Sequence, residues 1–518
     1  MGFSSHSPRI FARLPHIGRT SLQTEAVQKS AIVEPSAGYT ASMGTFDFLS
    51  QLPGELVDDI CANLEIKDIH SFRLTCKMLH KKSYRQFAVC HFRIAQFMIT
   101  RESLQALRDI SKDERFRAHI KEIQLCLITF PTSKLDQVDS NPLTAEEKDR
   151  EVYIKSQPKG EAVSEMKINL AEFRKQLKRR RRRLYGRHMH SQHTIRKRGI
   201  DIELLSEALR NLPKLESFTI LEHLDREYPP WGCRKIRDDI GFWPLTGSMS
   251  QSQSSDWITP WQLDYDLLRR HCLNFCSHAL SLALGAIARS QTRLKGGLRV
   301  EGAVYNFIVA QDRSRSRCAT PAKTFSQPDI EKLKPAFSEL TDLSIKSYGY
   351  YREDLLLTGH NTPFSWLPKF IPLWQSVKNF EFRGAGLAGE AQVFNMLAES
   401  KDCFPRMQSL LLRTTYFQVS ALIKVVMNHA GTLQYLSIHA CDPIHGEFPH
   451  LLHGLVGDFA LISLKLVNDR RVASWIRNNH NQTQLLTGLG TSFLRIQEGT
   501  PTAFQLRLES TLAAIRNG

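Results

Sequence analysis

Apolar residues along this chain fall into two rhythms. Near the amino end Leu52, Leu56, Ile60 and Leu64 recur every four residues, which puts them on one stripe of a helix. Pro53 suits the first turn of that helix, where its missing N–H costs nothing, and Glu55 favours the positive helix start. Asp68 can cap a second short helix carrying Ile69 and Phe72. A third follows, with Cys76, Leu79 and Tyr84 on its inner face. Three helices this short cannot enclose a full core within about 40 residues. Leu52, Pro53 and Ile69 therefore need cover from elsewhere, and the unit asks for a partner.

Downstream the rhythm changes. One phrase, apolar-x-x-apolar-x-apolar, recurs as IKEIQL (120–125), LESFTI (215–220), LTDLSI (340–345), VKNFEF (377–382), MQSLLL (407–412), LQYLSI (433–438) and LISLKL (461–466). Helix-period runs precede several of these, such as GIDIELLSEALRNLPK before LESFTI and FQVSALIKVVMNHAGT before LQYLSI. A buried strand alternating with an amphipathic helix at a near-regular period predicts an α/β array of the solenoid kind. An ordinary α/β domain with a parallel sheet is the alternative. Excursions interrupt the array near residues 131–200, 225–258 and 311–328, where polar, acidic or Ser-rich sequence replaces the phrase.

Composition adds three constraints. At 518 residues the chain exceeds one ordinary compact core unless it is a repeat array, and no window approaches the ~18 apolar residues of a membrane span. The ten cysteines show no C-x-x-C spacing and read as reduced, intracellular thiols. The net charge of +17 is concentrated: Lys167 to Arg198 holds thirteen Lys/Arg and one acid, Glu172. Residues 1–45 carry Arg9, Arg13 and Arg19 with no acid before Glu25. That resembles a mitochondrial presequence in composition, but it reads first as a solvated, disordered tail.

Leu52-Pro53-x-Glu55-Leu56, then Ile60, Leu64, Asp68-Ile69, Arg73 and Cys76-Lys77, resemble the F-box pattern over residues 46–95, with Leu79 where many members carry Trp. The F-box is the module by which substrate receptors dock on the Skp-type adaptor of cullin–RING, SCF-type ubiquitin ligases. The resemblance implies that Leu52, Pro53, Leu56, Ile60, Ile69 and Phe72 face the adaptor, and that Glu55, Arg73 and Lys77 orient or bridge. It implies a three-helix F-box; the recurring phrases downstream in turn look like an irregular leucine-rich-repeat array over 96–518, and together they resemble a fungal-type F-box domain-containing receptor that is not itself an enzyme. A cullin would be reached through the adaptor, and the array would bind a protein substrate destined for degradation in the cytoplasm or nucleus. An F-box protein acting outside a ligase is an alternative.

Other motifs point elsewhere. GAGLAG (384–389) is a G-x-G-x-x-G between a strand and a helix, as a dinucleotide-binding turn requires, and would suit a nucleotide-dependent enzyme. The next strand, however, ends in Arg413 rather than a ribose-holding acid. His271, Cys272, Cys276 and His278 have spacing that could share zinc, but their surroundings read as one long buried helix. His188, His190 and His193 fall in a basic loop. No cofactor or metal is expected. Lys178, Arg179, Arg180, Arg181, Arg182 and Arg183 extend the amphipathic helix of Met166, Leu170, Phe173 and Leu177. They offer a nuclear import signal, a phosphate contact or a solvated face. Nucleic acid is not the leading partner, because no aromatics interleave the run.

In a solenoid the positions between the apolar strand residues line the open face. Those are Thr219, Ser344, Lys346, Glu381, Arg383, Leu411, Arg413, Ser437, His439 and Lys465. Lys346, Arg383, Arg413 and Lys465 outnumber the single acid Glu381, so with His439 they predict a face for an acidic or phosphorylated protein segment.

Overall fold

The computed structural model describes residues 48–131, 152, 163–222, 224, 228–241, 244–246, 265–301, 330–346, 367–384, 390–400, 402–445, 448–457, 459–467 and 493–517. The tail 1–45, the excursion 311–328 and residues 385–389 of GAGLAG lie outside them. The chain divides after Arg93 into two compact units, so Ile94 and Ala95, expected in the first, belong to the second.

The amino-terminal unit holds a single turn, Phe48–Gln51, and four helices: α1 (Gly54–Ala62), α2 (Ile66–Thr75), α3 (Lys77–Lys82) and α4 (Tyr84–Phe92). The sequence predicted three. The difference lies at Cys76 and Ser83. Cys76 is extended, and its sulfur accepts a hydrogen bond from the Leu79 amide at 3.4 Å, which stops α2 and starts α3. The Ser83 hydroxyl, which is buried, donates to the Leu79 carbonyl at 2.5 Å between α3 and α4. Pro53 stands one residue before α1 rather than in its first turn, and Asp68 lies inside α2 rather than capping it. The initial turn, α1, α2 and α4 all pack on α3.

The larger unit is organised by one open sheet of ten strands: β1 (Ile94–Met98), β2 (Glu122–Cys126), β3 (Ser217–Leu221), β4 (Gly297–Glu301), β5 (Asp342–Lys346), β6 (Asn379–Arg383), β7 (Ser409–Arg413), β8 (Tyr435–His439), β9 (Ser463–Val467) and β10 (Phe493–Gln497). Their order in space is their order in the chain. The first nine are parallel, and β10 closes the series antiparallel to β9. All seven sequence phrases become strands here. Alternation explains the burial: Leu343, Ile345, Phe380, Phe382, Leu410, Leu412, Leu436, Ile438, Leu464 and Leu466 are each 2% exposed or less, while the residues between them in these strands stay half-buried or exposed. One face is therefore covered and the other is open.

The long helices are α5 (Arg101–Lys112), α6 (Val163–Arg198), α7 (Ile200–Arg210), α8 (Cys233–Ile240), α9 (Tyr265–Ser290), α10 (Ala391–Glu399), α11 (Val419–Asn428), α12 (Phe448–Gly454) and α13 (Pro501–Asn517). Helix α7 packs on both α5 and α9, and α10 to α13 pack each on the next. Residues 409–428 and 435–454 repeat one local plan: a five-residue strand, a left-handed residue (Thr414, φ 48°; Ala440, φ 50°), a short strand and a helix.

Within the segment expected as an excursion over 131–200, the described residues from 163 onward form helix and join the core. Helix α6 delivers Leu184 and Tyr185 into a cluster with Met98, Cys126, Phe130, Cys233 and Ile236. The Tyr185 hydroxyl donates to the Pro131 carbonyl at 2.8 Å. Buried Gln192 donates through Nε2 to the carbonyls of Ile99 (3.0 Å) and Ile128 (2.9 Å). His188 stacks on Phe130 with ring centroids 5.6 Å apart, so His188, His190 and His193 sit on a helix and not in a loop.

Gln192 satisfies two backbone carbonyls with one amide. Gln192→Leu should leave both without that donor and cost about 1–3 kcal/mol. The check is the urea midpoint of the full chain; an unchanged midpoint would refute this tie.

Candidate functional site

Two surfaces invite partners, one in each unit. In the helical unit the apolar side chains exceed what its own core takes in. Nine large apolar side chains are exposed among the described residues, and five of them, Leu49, Leu56, Leu74, Met78 and Val89, lie between residues 48 and 92. So dense a set on so short a segment marks a surface that expects cover. Glu55, Pro53 and Lys77 are exposed, and Leu52, Ile60 and Phe72 are half-buried. Lys82 Nζ donates to the Leu52 carbonyl at 2.6 Å, holding the start of α1 against the end of α3.

Two expected contact residues point inward instead. Ile69 is 1% exposed, so it supplies core. Arg73 is 7% exposed; its guanidinium lies 4.0 Å from the centroid of the Phe87 ring and 3.3 Å from His80 Nε2. A cation over an aromatic face is held by the ring quadrupole, so Arg73 ties α2 to α3 and α4 rather than standing on the surface. Leu49, Leu74 and Met78 are exposed without having been among the expected contacts. The last two carried a signal, because they fall off the inward stripe and so had to be apolar for another reason.

On the sheet, register places the predicted residues. Lys346, Arg383, Arg413 and His439 are consecutive partners across β5 to β8 and form one row. Ser344, Glu381, Leu411, Ser437 and Lys465 form the adjacent row. The charge balance differs from the expectation. Glu301, on the unforeseen strand β4, heads the first row, and Lys346 Nζ lies 3.2 Å from its Oε1 with both side chains largely buried. Arg413 Nε is 3.5 Å from Glu381 Oε1, and the Ser344 hydroxyl donates to Glu381 Oε2 at 2.9 Å. Lys346 and Arg413 are thus matched by acids. Arg299, exposed on β4 beside Ser344, adds a cation to the second row.

His439 is not a cation at neutral pH. Burial, reinforced by Arg413 and Lys465 and opposed by Glu381, holds its imidazole down to about 4. Toward the amino-terminal strands the open face satisfies itself: Gln96 Nε2 donates to Gln124 Oε1 (2.6 Å), Gln124 Nε2 to Glu122 Oε1 (2.7 Å), and the Thr219 hydroxyl to Glu122 Oε1 (2.9 Å). Between these regions lies a hollow of about 380 Å³ over Ser217, Gly297, Arg299 and Asp342.

Of the remaining motifs, the described members Gly384, Cys276, His278 and Arg181 pack within the fold, while the side chains of His271 and Cys272 lie outside the described residues. A Cβ on Gly384 would come within 2.0 Å of the Glu390 carboxylate, which is buried at the head of α10 and accepts from the Tyr416 amide at 3.3 Å. A carboxylate there repels the phosphate that a dinucleotide turn would bring to a helix start. Cys276 is buried, and His278 Nε2 sits 2.7 Å from Asp201 Oδ2 rather than on a cysteine. Among the described residues no group of three or more His, Cys, Asp or Glu is arranged to hold a metal. In the basic run Lys178, Arg179, Arg180, Arg182 and Arg183 are exposed, whereas Arg181 is 3% exposed and packs against Gly241.

Residues 49–84 match the F-box domain family. No curated protein matches the chain significantly. The matched segment contains Leu49, Leu56, Leu74 and Met78, four of the exposed apolar side chains.

His429, buried at the end of α11, is also held down to about 4 by desolvation. Both imidazoles are depressed from 6.5 in the folded state, so unfolding takes up protons below that value and their stabilisation is lost as pH falls from about 6.5 through about 4. The thermal midpoint should drop over this window, and H429Q/H439Q should drop less. An equally steep fall in the double variant would contradict the assignment.

Proposed function

We propose that this protein is a non-catalytic substrate receptor of an SCF-type ubiquitin ligase. The F-box unit docks on a Skp-type adaptor, and through it on a cullin, while the larger unit holds a protein substrate. One observation carries the reading: the exposed apolar side chains crowd onto the small unit that matches the F-box domain. A receptor of this kind contributes proximity, raising the effective concentration of substrate lysines near a loaded conjugating enzyme. It works in the cytoplasm, the nucleus or both.

We read the larger unit as an irregular leucine-rich-repeat solenoid. Strict chain order of the strands, an open face and the repeated strand–turn–helix plan support this over a doubly wound domain, where strand order reverses and helices cover both faces. The substrate segment is acidic or phosphorylated. It lies along Arg383 and Arg413, whose guanidinium forks suit carboxylate or phosphate, with Lys465 in the next row.

Leu56 and Met78 are both about half exposed, so charging them spares the core. The double variant Leu56→Asp, Met78→Asp should lose recombinant adaptor in co-purification, since interface anchors cost about 2 kcal/mol or more each, while its thermal midpoint holds. Retention of adaptor at the wild-type level would sink the docking assignment. Independently, Arg383→Glu with Arg413→Glu should abolish capture from a phosphoserine-rich peptide library and leave the adaptor bound. Unchanged capture would dismiss the substrate reading alone.

A further inference from the structure

Helix α6 carries a charge pattern that neither docking nor substrate capture uses. Its inward stripe is Leu177, Arg181, Leu184, Tyr185, Gln192 and Ile195, all 9% exposed or less. From Arg174 to Arg198 the sequence contains no acid. Every exposed residue from 172 to 198 is Lys, Arg or His apart from Gln176. Helical periodicity gathers Arg179, Arg183 and Lys197 along the outward line, flanked by Arg182, Arg187 and Arg198. From Arg179 to Lys197 the stripe runs about 27 Å.

A second observation sits in the middle of it. Gly186 lies inside the helix, where glycine is weaker than alanine, yet a Cβ there would meet no atom within 4 Å. Packing within the chain does not require this glycine. It leaves bare backbone within one turn of Arg182, Arg183, Arg187 and His190, which is room for close approach from outside.

The chemistry of the face narrows the partner. Protein interfaces are built on an apolar centre, and among the described side chains, 172–198, this face exposes no apolar one. A helix lying on a membrane needs an apolar flank to bury. A single-strand binder needs aromatics to stack on. A helical stripe rich in arginine and without acids from 174 to 198 matches a stiff, linear array of phosphates. We propose that the outward face of α6 binds the phosphate backbone of double-stranded nucleic acid without reading its sequence. Phosphate contacts of this type fix position and carry no sequence information.

The full chain should bind two duplexes of about 20 base pairs and unrelated sequence with affinities within about threefold of each other, read by fluorescence anisotropy. With about six phosphates neutralised, affinity should fall roughly 10³-fold between about 50 and 200 mM salt. Arg179→Gln, Arg183→Gln, Arg187→Gln, with Arg181 kept, should lower the log–log salt slope by about 3; Lys197→Gln, Arg198→Gln should lower it by about 2. Gly186→Leu should weaken binding while circular dichroism shows the helix retained. The proposal is overturned if no duplex binds at the lower salt, or if neither charge variant changes the slope. It is also overturned if phosphatidylserine vesicles or polyglutamate bind as tightly as duplex. Should the triple variant lose helicity, the Lys197/Arg198 variant and Gly186→Leu decide.

Discussion

The large unit depends on parallel strand pairing kept in one register across nine strands. Because side chains alternate along a strand, a shift of one residue would carry every core side chain to the opposite face. Leu343 aligns with Phe380, Leu410, Leu436 and Leu464, and Ile345 with Phe382, Leu412, Ile438 and Leu466. That double ladder is buried beneath the helices, so the residues between must line the open side. The core thereby dictates which side chains are displayed and in what order. Lys346, Arg383, Arg413 and His439 share a row for this reason, whatever binds them.

Electrostatics on that face are more balanced than composition suggests. Two half-buried cations meet acids there, Lys346 on Glu301 and Arg413 against Glu381. Leaving such charges unmatched in a partly dehydrated row is costly, and the low proton affinity of His439 reflects the same pressure. A partner offering carboxylate or phosphate must compete with Glu301 and Glu381 for these cations. Specificity of that kind favours a ligand with several anionic groups over a single one.

Much of this was legible in the sequence, and the failures have physical causes. The seven phrases located seven strands because buried parallel strands demand apolar side chains at fixed spacing. Strand β4 escaped because its lead-in is stretched: Leu294 and Leu298 are four apart, with Gly296 between them where a Cβ would fall 2.7 Å from the Ser217 hydroxyl. Missing β4 also hid Glu301 together with Arg299, which is why the pairing of Lys346 with an acid was not foreseen. In the helical unit Leu52, Pro53, Glu55 and Leu56 were recognised from motif order, but motif order does not reveal which member turns inward. Arg73 was misjudged because a charged residue is taken as solvent-facing until its aromatic neighbours, Tyr84 and Phe87, are seen folded around it. The basic run was read as one block, although helical geometry buries Arg181 and exposes its neighbours.

On the proposed reading the small helical unit is the docking element and the open sheet face is left free by that docking. Hydrogen–deuterium exchange on the full chain, with and without saturating recombinant Skp-type adaptor, tests it most directly. The account predicts slowed exchange confined to residues 49–84, with amides of β5 to β9 exchanging as in the free chain. Protection appearing on β5 to β9 while residues 49–84 exchange unchanged would contradict it.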